Sequence, residues 1–294
     1  MEGRHSLERL RNAVAGVLER HGGHDVIVSP IAGVSIATTR SRRLPAQALY
    51  RPALGLVVQG AKRVLVGQRS LDYVAGQALL TSLLMPATGQ VLRASARAPF
   101  IGVVLELDAS LLREVVSLLD QPPPASPADF GLSVHAPDAP VLDALARMVE
   151  LAASPDAVPV LLAGLQRELA YWLLKGPAGP QFAGLALPGD DAARIGRALH
   201  FLQRHYREAL SVESLAVRAN MAVSQFHRRF RALTAMSPLQ YQKRLRLLDA
   251  RQRLERGADS VTAVAYAVGY GGLSQFSRDY ARYFGHPPGQ ARRR

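Results

Sequence analysis

The sequence predicts a multidomain chain of α and β structure. A small N-terminal β-barrel or sandwich with flanking helices precedes an all-α C-terminal domain holding two helix-turn-helix units. Three observations predict this. Short apolar or β-branched runs, punctuated by Gly and Pro, fill residues 25–108. From Leu111 onward apolar residues recur at spacings of three and four. Near the C-terminal end one phrase is written twice, SQFHRRF at Ser224–Phe230 and SQFSRDY at Ser274–Tyr280.

The elements follow in order. Residues 1–24, MEGRHSLERLRNAVAGVLERHGGH, read as a charged amphipathic helix rather than a signal peptide. Residues 25–110 form the barrel, with VSIATTR, LGLVVQG, KRVLVG, ALLTSLLM and FIGVVLEL as strands. GQRS, VAGQ and MPATGQ are the turns between them. Residues 111–175 carry LLREVVSLL, VLDALARMVELA and VLLAGLQRELAYWLL. These predict two or three packed helices, serving as a dimer interface, as a relay or only as packing on the barrel. The Gly- and Pro-rich residues 176–190 are expected to be a linker. Residues 191–294 are helical again, with Ser211 as a helix N-cap and Pro238 in the first turn of a long helix.

Charge singles out that last domain. The chain carries a formal +13. Residues 189–294 hold 19 Lys+Arg against 8 Asp+Glu, whereas residues 1–188 hold 17 against 15. A compact basic domain is the footprint of a phosphate-backbone binder. A generically basic surface, or contact with an acidic membrane, would carry the same charge.

The duplication is longer than seven residues. Leu215–Gln240 aligns with Val264–Gln290, each a short helix, a tight turn, a second helix and a break before Pro. Ala216 and Ala265 allow the two helices to approach. Asn220 and Gly269 suit a left-handed turn. Phe226 with Phe230, and Phe276 with Tyr280, are i,i+4 anchors. The second copy has one extra residue, at Gly271–Gly272, before its second helix. Outward positions are Ser, Gln, His and Arg, the side chains that read base edges or hold phosphates. A pair of ordinary helical hairpins with solvated polar faces is the plain alternative.

These residues resemble the DNA-binding domain of the AraC/XylS family of bacterial transcription regulators. The match runs through SVESLAVRANMAVSQFHRRFRALTAMSP, RLRLLDARQRL and VTAVAYAVGYGGLSQFSRDYARYFGHPP. The resemblance implies base contacts from Ser224, His227 and Arg228 in the first unit. In the second it implies Leu273, Ser274, Gln275 and Arg278. Arg231, Arg246 and Arg282 are expected to hold phosphates. Ala235 stands where the family usually has Gly, and Ala291 where it usually has an aromatic residue. ALYRPALGLVVQGAKRVLVGQ, LLTSLLMP and RELAYWLLKG resemble a subgroup with a cupin-like β-barrel as sensor domain.

Other chemistry finds little support. With no cysteine there is no disulfide, thiolate metal site, thiol nucleophile or alkyl acceptor. Between Asp25 and Asp108 there is no His, and the acids are Asp72 and Glu106, too few for a cupin metal site. No nucleophile elbow or P-loop is present. No apolar run approaches the roughly 18 residues of a membrane span.

The expectation is therefore a cytoplasmic, sequence-specific regulator, read as an activator, without catalytic residues, metal or cofactor. Its expected partners are double-stranded DNA across two adjacent major grooves, a small-molecule effector, RNA polymerase and a second copy of itself. Tyr50, Arg51, Tyr73, Met85 and Arg93 are candidate effector-pocket residues, with burial or surface packing as their simpler role. The competing reading is an architectural or non-specific DNA-binding protein without ligand sensing. An enzyme with an appended DNA module stands third.

Overall fold

The computed structural model describes residues 2–21, 25–42, 46–124, 130–186, 191–257 and 260–293. Helix α1 (Glu2–Arg20) buries Leu10, Val14 and Val17, a spacing of four and three that puts them on one face. The strands β1 (Ile27–Ile31), β2 (Val34–Thr39), β3 (Ala46–Tyr50), β4 (Ala53–Gln59) and β5 (Ala61–Val66) come next. They are followed by β6 (Arg69–Val74), β7 (Ala78–Thr81), β8 (Met85–Arg93) and β9 (Phe100–Glu106). Helix α2 (Ala109–Ser117) precedes a further strand, β10 (Leu132–His135), and then α3 (Ala139–Leu151), α4 (Val158–Lys175) and α5 (Gly179–Ala186).

Among the described residues all pairings are antiparallel, and they make two sheets. The larger has the order β1-β2-β9-β4-β7-β10 and the smaller β3-β8-β5-β6. Together they form the cupin-like barrel. The chain passes from the larger sheet to the smaller at Gly60. Its φ of +93° and a site 2.5 Å from the Arg93 carbonyl oxygen exclude any side chain there.

The larger sheet is covered on both faces, so its central strands are apolar on both sides. Ile36, Leu54, Leu56, Leu80, Val103 and Leu105 meet the helices α1 to α5 in one core. Val57, Leu79 and Phe100 face the barrel interior, where they meet Val64, Val66, Tyr73, Met85 and Val91 of the smaller sheet. Arg9 ties α1 to α3 through Asp143 at 2.6 Å and Glu150 at 2.7 Å.

Two expectations are corrected. The stretch 176–190, read as a linker, contains the helix α5, whose Phe182 and Ala183 are buried in the outer core. Its glycine signals close packing rather than freedom: a Cβ on Gly179 would lie 2.1 Å from the Leu174 carbonyl oxygen. Residues 187–190 lie outside the described residues. The segment 111–175, read as wholly helical, also contributes β10, which pairs residue for residue with β7 at the sheet edge.

The C-terminal part is helical throughout. It comprises α6 (Asp191–His205), α7 (Val212–Ala219), α8 (Val223–Thr234), α9 (Pro238–Arg256), α10 (Val261–Ala267) and α11 (Leu273–Phe284), closed by a 3-10 turn at Pro288–Arg293. The first unit shares its core with the barrel interior: Ile195, Leu199, Phe226, Phe230 and Tyr241 belong to the same cluster as Val64, Tyr73 and Met85. The second unit has its own core of Leu247, Leu254, Val264, Tyr270, Phe276 and Tyr280.

Candidate nucleic-acid interface

The two repeats fold into the same unit by the same local devices. Ser211 accepts a hydrogen bond from the Ser214 amide and caps α7; Ser260 accepts one from the Ala263 amide and caps α10. Each first helix ends at a left-handed residue, Asn220 at φ 52° and Gly269 at φ 91°. The next residue then donates its amide back to the buried alanine, Met221 to Ala216 and Tyr270 to Ala265, both at 3.0 Å. The rings of Phe226 and Phe230 lie 5.4 Å apart, and those of Phe276 and Tyr280 5.5 Å apart. All four are fully buried, and they fix the roll of α8 and α11 about their axes. The extra residue of the second unit falls at Gly271–Gly272, with Gly272 as the extended N-cap of α11.

That roll sets what faces outward. Ser224, His227, Arg228 and Arg231 are exposed on α8. Leu273, Ser274, Gln275, Arg278 and Arg282 are exposed on α11. No carboxylate pairs with Arg228, Arg231, Arg278 or Arg282 among the described residues. The neighbouring position of each repeat behaves differently. Arg229 bonds Asp191 at 2.5 Å, while its counterpart Asp279 bonds Lys243 at 3.0 Å. Both are consumed in holding helices together, so the charge difference between the repeats there does not reach the outer face.

Arg246, expected to hold a phosphate, turns its donors to backbone carbonyls instead. Its Nε donates to the Tyr206 carbonyl at 2.6 Å and its Nη1 to the Gly269 carbonyl at 2.7 Å. Its Nη2 reaches the carbonyls of Glu208 at 2.9 Å and Arg207 at 3.3 Å. Burial holds this guanidinium below its ordinary value. The side chain clasps the segment between α6 and α7 to the turn of the second unit. Gly269 is required at that clasp, since a Cβ would lie 2.2 Å from the Arg207 carbonyl oxygen.

Helix α9 joins the units. Ser237 and Gln240 close a reciprocal capping box at its start, with Pro238 in the first turn. Its 19 residues span about 28 Å at 1.5 Å per residue. Between α8, α9 and α11 lies a cleft of about 840 Å³, into which Arg228, Arg231, Lys243, Arg244 and Arg282 project. The turn between β5 and β6 forms its remaining wall, through Gly67, Gln68 and Arg69. Sequence reasoning did not single out Lys243, Arg244 or Arg69; their partners across the cleft come from distant parts of the chain.

The domains touch at defined points. The Gly131 amide donates to the Leu233 carbonyl at 2.9 Å. The Tyr241 hydroxyl donates to the Leu84 carbonyl at 2.6 Å, and Gln47 Nε2 donates to the Tyr283 carbonyl at 3.2 Å. Ala235, the residue at φ 54° that ends α8, packs against Gly67.

The five candidate effector residues come together only in part: Tyr50 pairs with Met85 across β3 and β8, and Tyr50 and Tyr73 share Lys62 as a neighbour. Tyr73 and Met85 are buried in the barrel core. Tyr50 is half-buried, and Arg51 and Arg93 are exposed. Lys62, overlooked in the sequence, stands directly opposite Tyr73 in the β5–β6 pairing. Its ammonium lies 5.5 Å from the centre of the Tyr50 ring. It shares a strand face with the inward Val64 and Val66. Among the described residues no three His, Asp or Glu side chains cluster as metal ligands, and no helix is long and apolar enough to cross a membrane.

Comparison with known proteins gives consistent matches. The family described as AraC-type transcriptional regulator N-terminus matches residues 30–181, and the helix-turn-helix domain family matches residues 215–294. The HTH-type transcriptional activator RhaS of Pectobacterium carotovorum subsp. carotovorum is 35% identical over 100 residues, 34% of this chain and 36% of its own length. RhaS of Yersinia pestis is 39% identical over 101 residues, 34% of this chain and 37% of its own. The chain thus matches just over a third of the length of these relatives. ToxT of Vibrio cholerae with an unsaturated fatty acid bound superposes at a TM-score of 0.57 and 10% identity, over 87% of this chain and 92% of that one. ToxT bound to (E)-4-(8-methylnaphthalen-1-yl)but-3-enoic acid gives 0.58 at 10% identity, over 87% and 96%. At such identity the likeness is one of fold.

Proposed function

Because this chain belongs to the family of AraC-type transcriptional regulators, we propose that it reads a specific DNA sequence through α8 and α11 and that its barrel senses a small-molecule effector. The observation that carries the DNA reading is the pair of outward, acid-free arginines, Arg228 and Arg278, at equivalent places on two anchored helices. Arginine is the side chain best suited to the paired acceptors of guanine. The spacing supports it: an α9 of about 28 Å is close to the roughly 34 Å between successive major grooves on one face of DNA. Ser224, His227, Ser274 and Gln275 would read neighbouring bases, and Arg231 and Arg282 would hold phosphates. Such work belongs in the cytoplasm, where a bacterial chromosome lies.

The test is affinity for a bound DNA site. Arg228→Ala and Arg278→Ala should each cost about 1–3 kcal/mol on that site and relax preference at one position, in different grooves. Unchanged preference in both variants would remove the assignment.

We place the effector on the inner face of the barrel, at Tyr50, Lys62 and Tyr73. Lys62 pairs with no carboxylate among the described residues. Burial opposes its charge, but the phenols of Tyr50 and Tyr73 more than offset this and hold it above its ordinary value. Burial pushes the Tyr73 phenol up to about 12, so it stays a neutral donor. A cation beside two phenols and a valine wall suits a carboxylate with an apolar body. The two molecules named in the ToxT structures are of that kind. Native mass spectrometry with added medium-chain carboxylic acids should find one bound to the full chain and lost in Lys62→Met. Equal binding by both proteins would contradict this site.

A further inference from the structure

We propose that the cleft at the domain junction is a phosphate site shared by both domains, and that Arg69 of the barrel is itself a DNA contact. The inference rests on the DNA-reading function above and extends it to a residue outside the helical domain. The cleft is lined by six cations, Arg69, Arg231, Lys243, Arg244 and Arg282 beside the base-reading Arg228. The acid on its wall, Asp279, is already bound to Lys243 at 3.0 Å. Five unpaired or ring-stacked cations around an open volume of about 840 Å³ repel one another until a polyanion enters. The cleft lies between the two reading helices, where the sugar–phosphate backbone separating two successive major grooves would pass.

Arg69 is held there by construction. Val66 and Arg69 pair across a two-residue turn, Gly67–Gln68. Gly67 has φ +61°, and a Cβ on it would lie 2.5 Å from the Ala235 carbonyl oxygen, so the turn seats directly on the end of α8. The Arg69 guanidinium stacks 4.5 Å from the centre of the Phe130 ring, which orders the side chain without neutralising it. The turn does not resemble a plug for the arginines. A plug would present acids to them, whereas this turn presents Gln68 and Arg69. The nearest acid on the hairpin, Asp72, is bound by Arg63 through both carboxylate oxygens at 2.6 Å. The charge of the turn is therefore complementary to DNA and not to the helices it touches.

The experiment measures affinity of the full chain for its selected DNA site, and for scrambled DNA, as a function of salt. Arg69→Gln should weaken both by a similar factor, about three- to tenfold at physiological salt, and should lower the salt slope by about 0.9, the value for one lost phosphate contact. Arg69→Lys keeps the charge without the ring stack and should restore the slope. Arg278→Ala serves as the reference for base reading. If Arg69→Gln leaves affinity and slope unchanged, or tightens binding, while Arg278→Ala still loses discrimination, the shared cleft is wrong and the DNA reading stands. If Arg278→Ala is silent as well, both fall.

Discussion

At the level of single residues, two arginines, Arg228 on α8 and Arg246 on α9, have opposite surroundings. Arg228 and Arg246 both sit on basic helices, and both read as nucleic-acid ligands. One is exposed and free of acids; the other spends its donors on four backbone carbonyls. The difference lies in partners 38 or more residues away in one direction and 23 in the other, which no local pattern encodes. Arg246→Ala should therefore unfold at lower urea, with a loss of about 1–3 kcal/mol, because the part-buried Tyr206 and Gly269 carbonyls lose their charged donor. Its salt slope on DNA, corrected for folded fraction, should match the parent. A lowered slope at unchanged stability would return Arg246 to the phosphate contacts. Arg229 and Asp279 teach the same lesson, since each is a strut between helices rather than a reading group.

At the level of elements, the helix-turn-helix units were legible because their rules are local. The Ser211 cap, a left-handed Asn or Gly, and aromatic anchors at i,i+4 act within about a dozen residues, and each stands where the sequence placed it. The unexpected Ala235 also keeps the left-handed turn that glycine would have made; Gly285 makes it in the second unit at φ 78°. The elements that escaped are those defined by a neighbour. The four-residue β10 is a strand only because β7 offers it an edge. Helix α5 packs into the outer core through Phe182, with the Leu174 carbonyl set against a glycine, Gly179, that read alone signals a loop. Of the pocket residues, Tyr50 and Tyr73 share a lysine neighbour that alternation along β5 would have turned inward, had the barrel face been assigned strand by strand.

At the level of the whole molecule, the division into domains by sequence does not match the division into cores. The barrel interior and the first helix-turn-helix unit form one apolar cluster, reaching from Tyr73 and Met85 to Phe230 and Tyr241. The second unit is joined to the barrel by polar contacts, through Gln47 to Tyr283 at 3.2 Å and to Arg251 at 3.4 Å. An effector at Lys62 would therefore act through packing on α8 and more weakly on α11. That arrangement offers a route from ligand to the relative placement of two reading helices. The central claim is that these helices read one continuous site, and selection of bound fragments from random-sequence DNA by the full chain tests it most directly. The account predicts an enriched motif with two dissimilar halves centred about 10–10.5 base pairs apart, one helical turn. Recovery of unenriched DNA, or of a motif confined to a single groove, would contradict it.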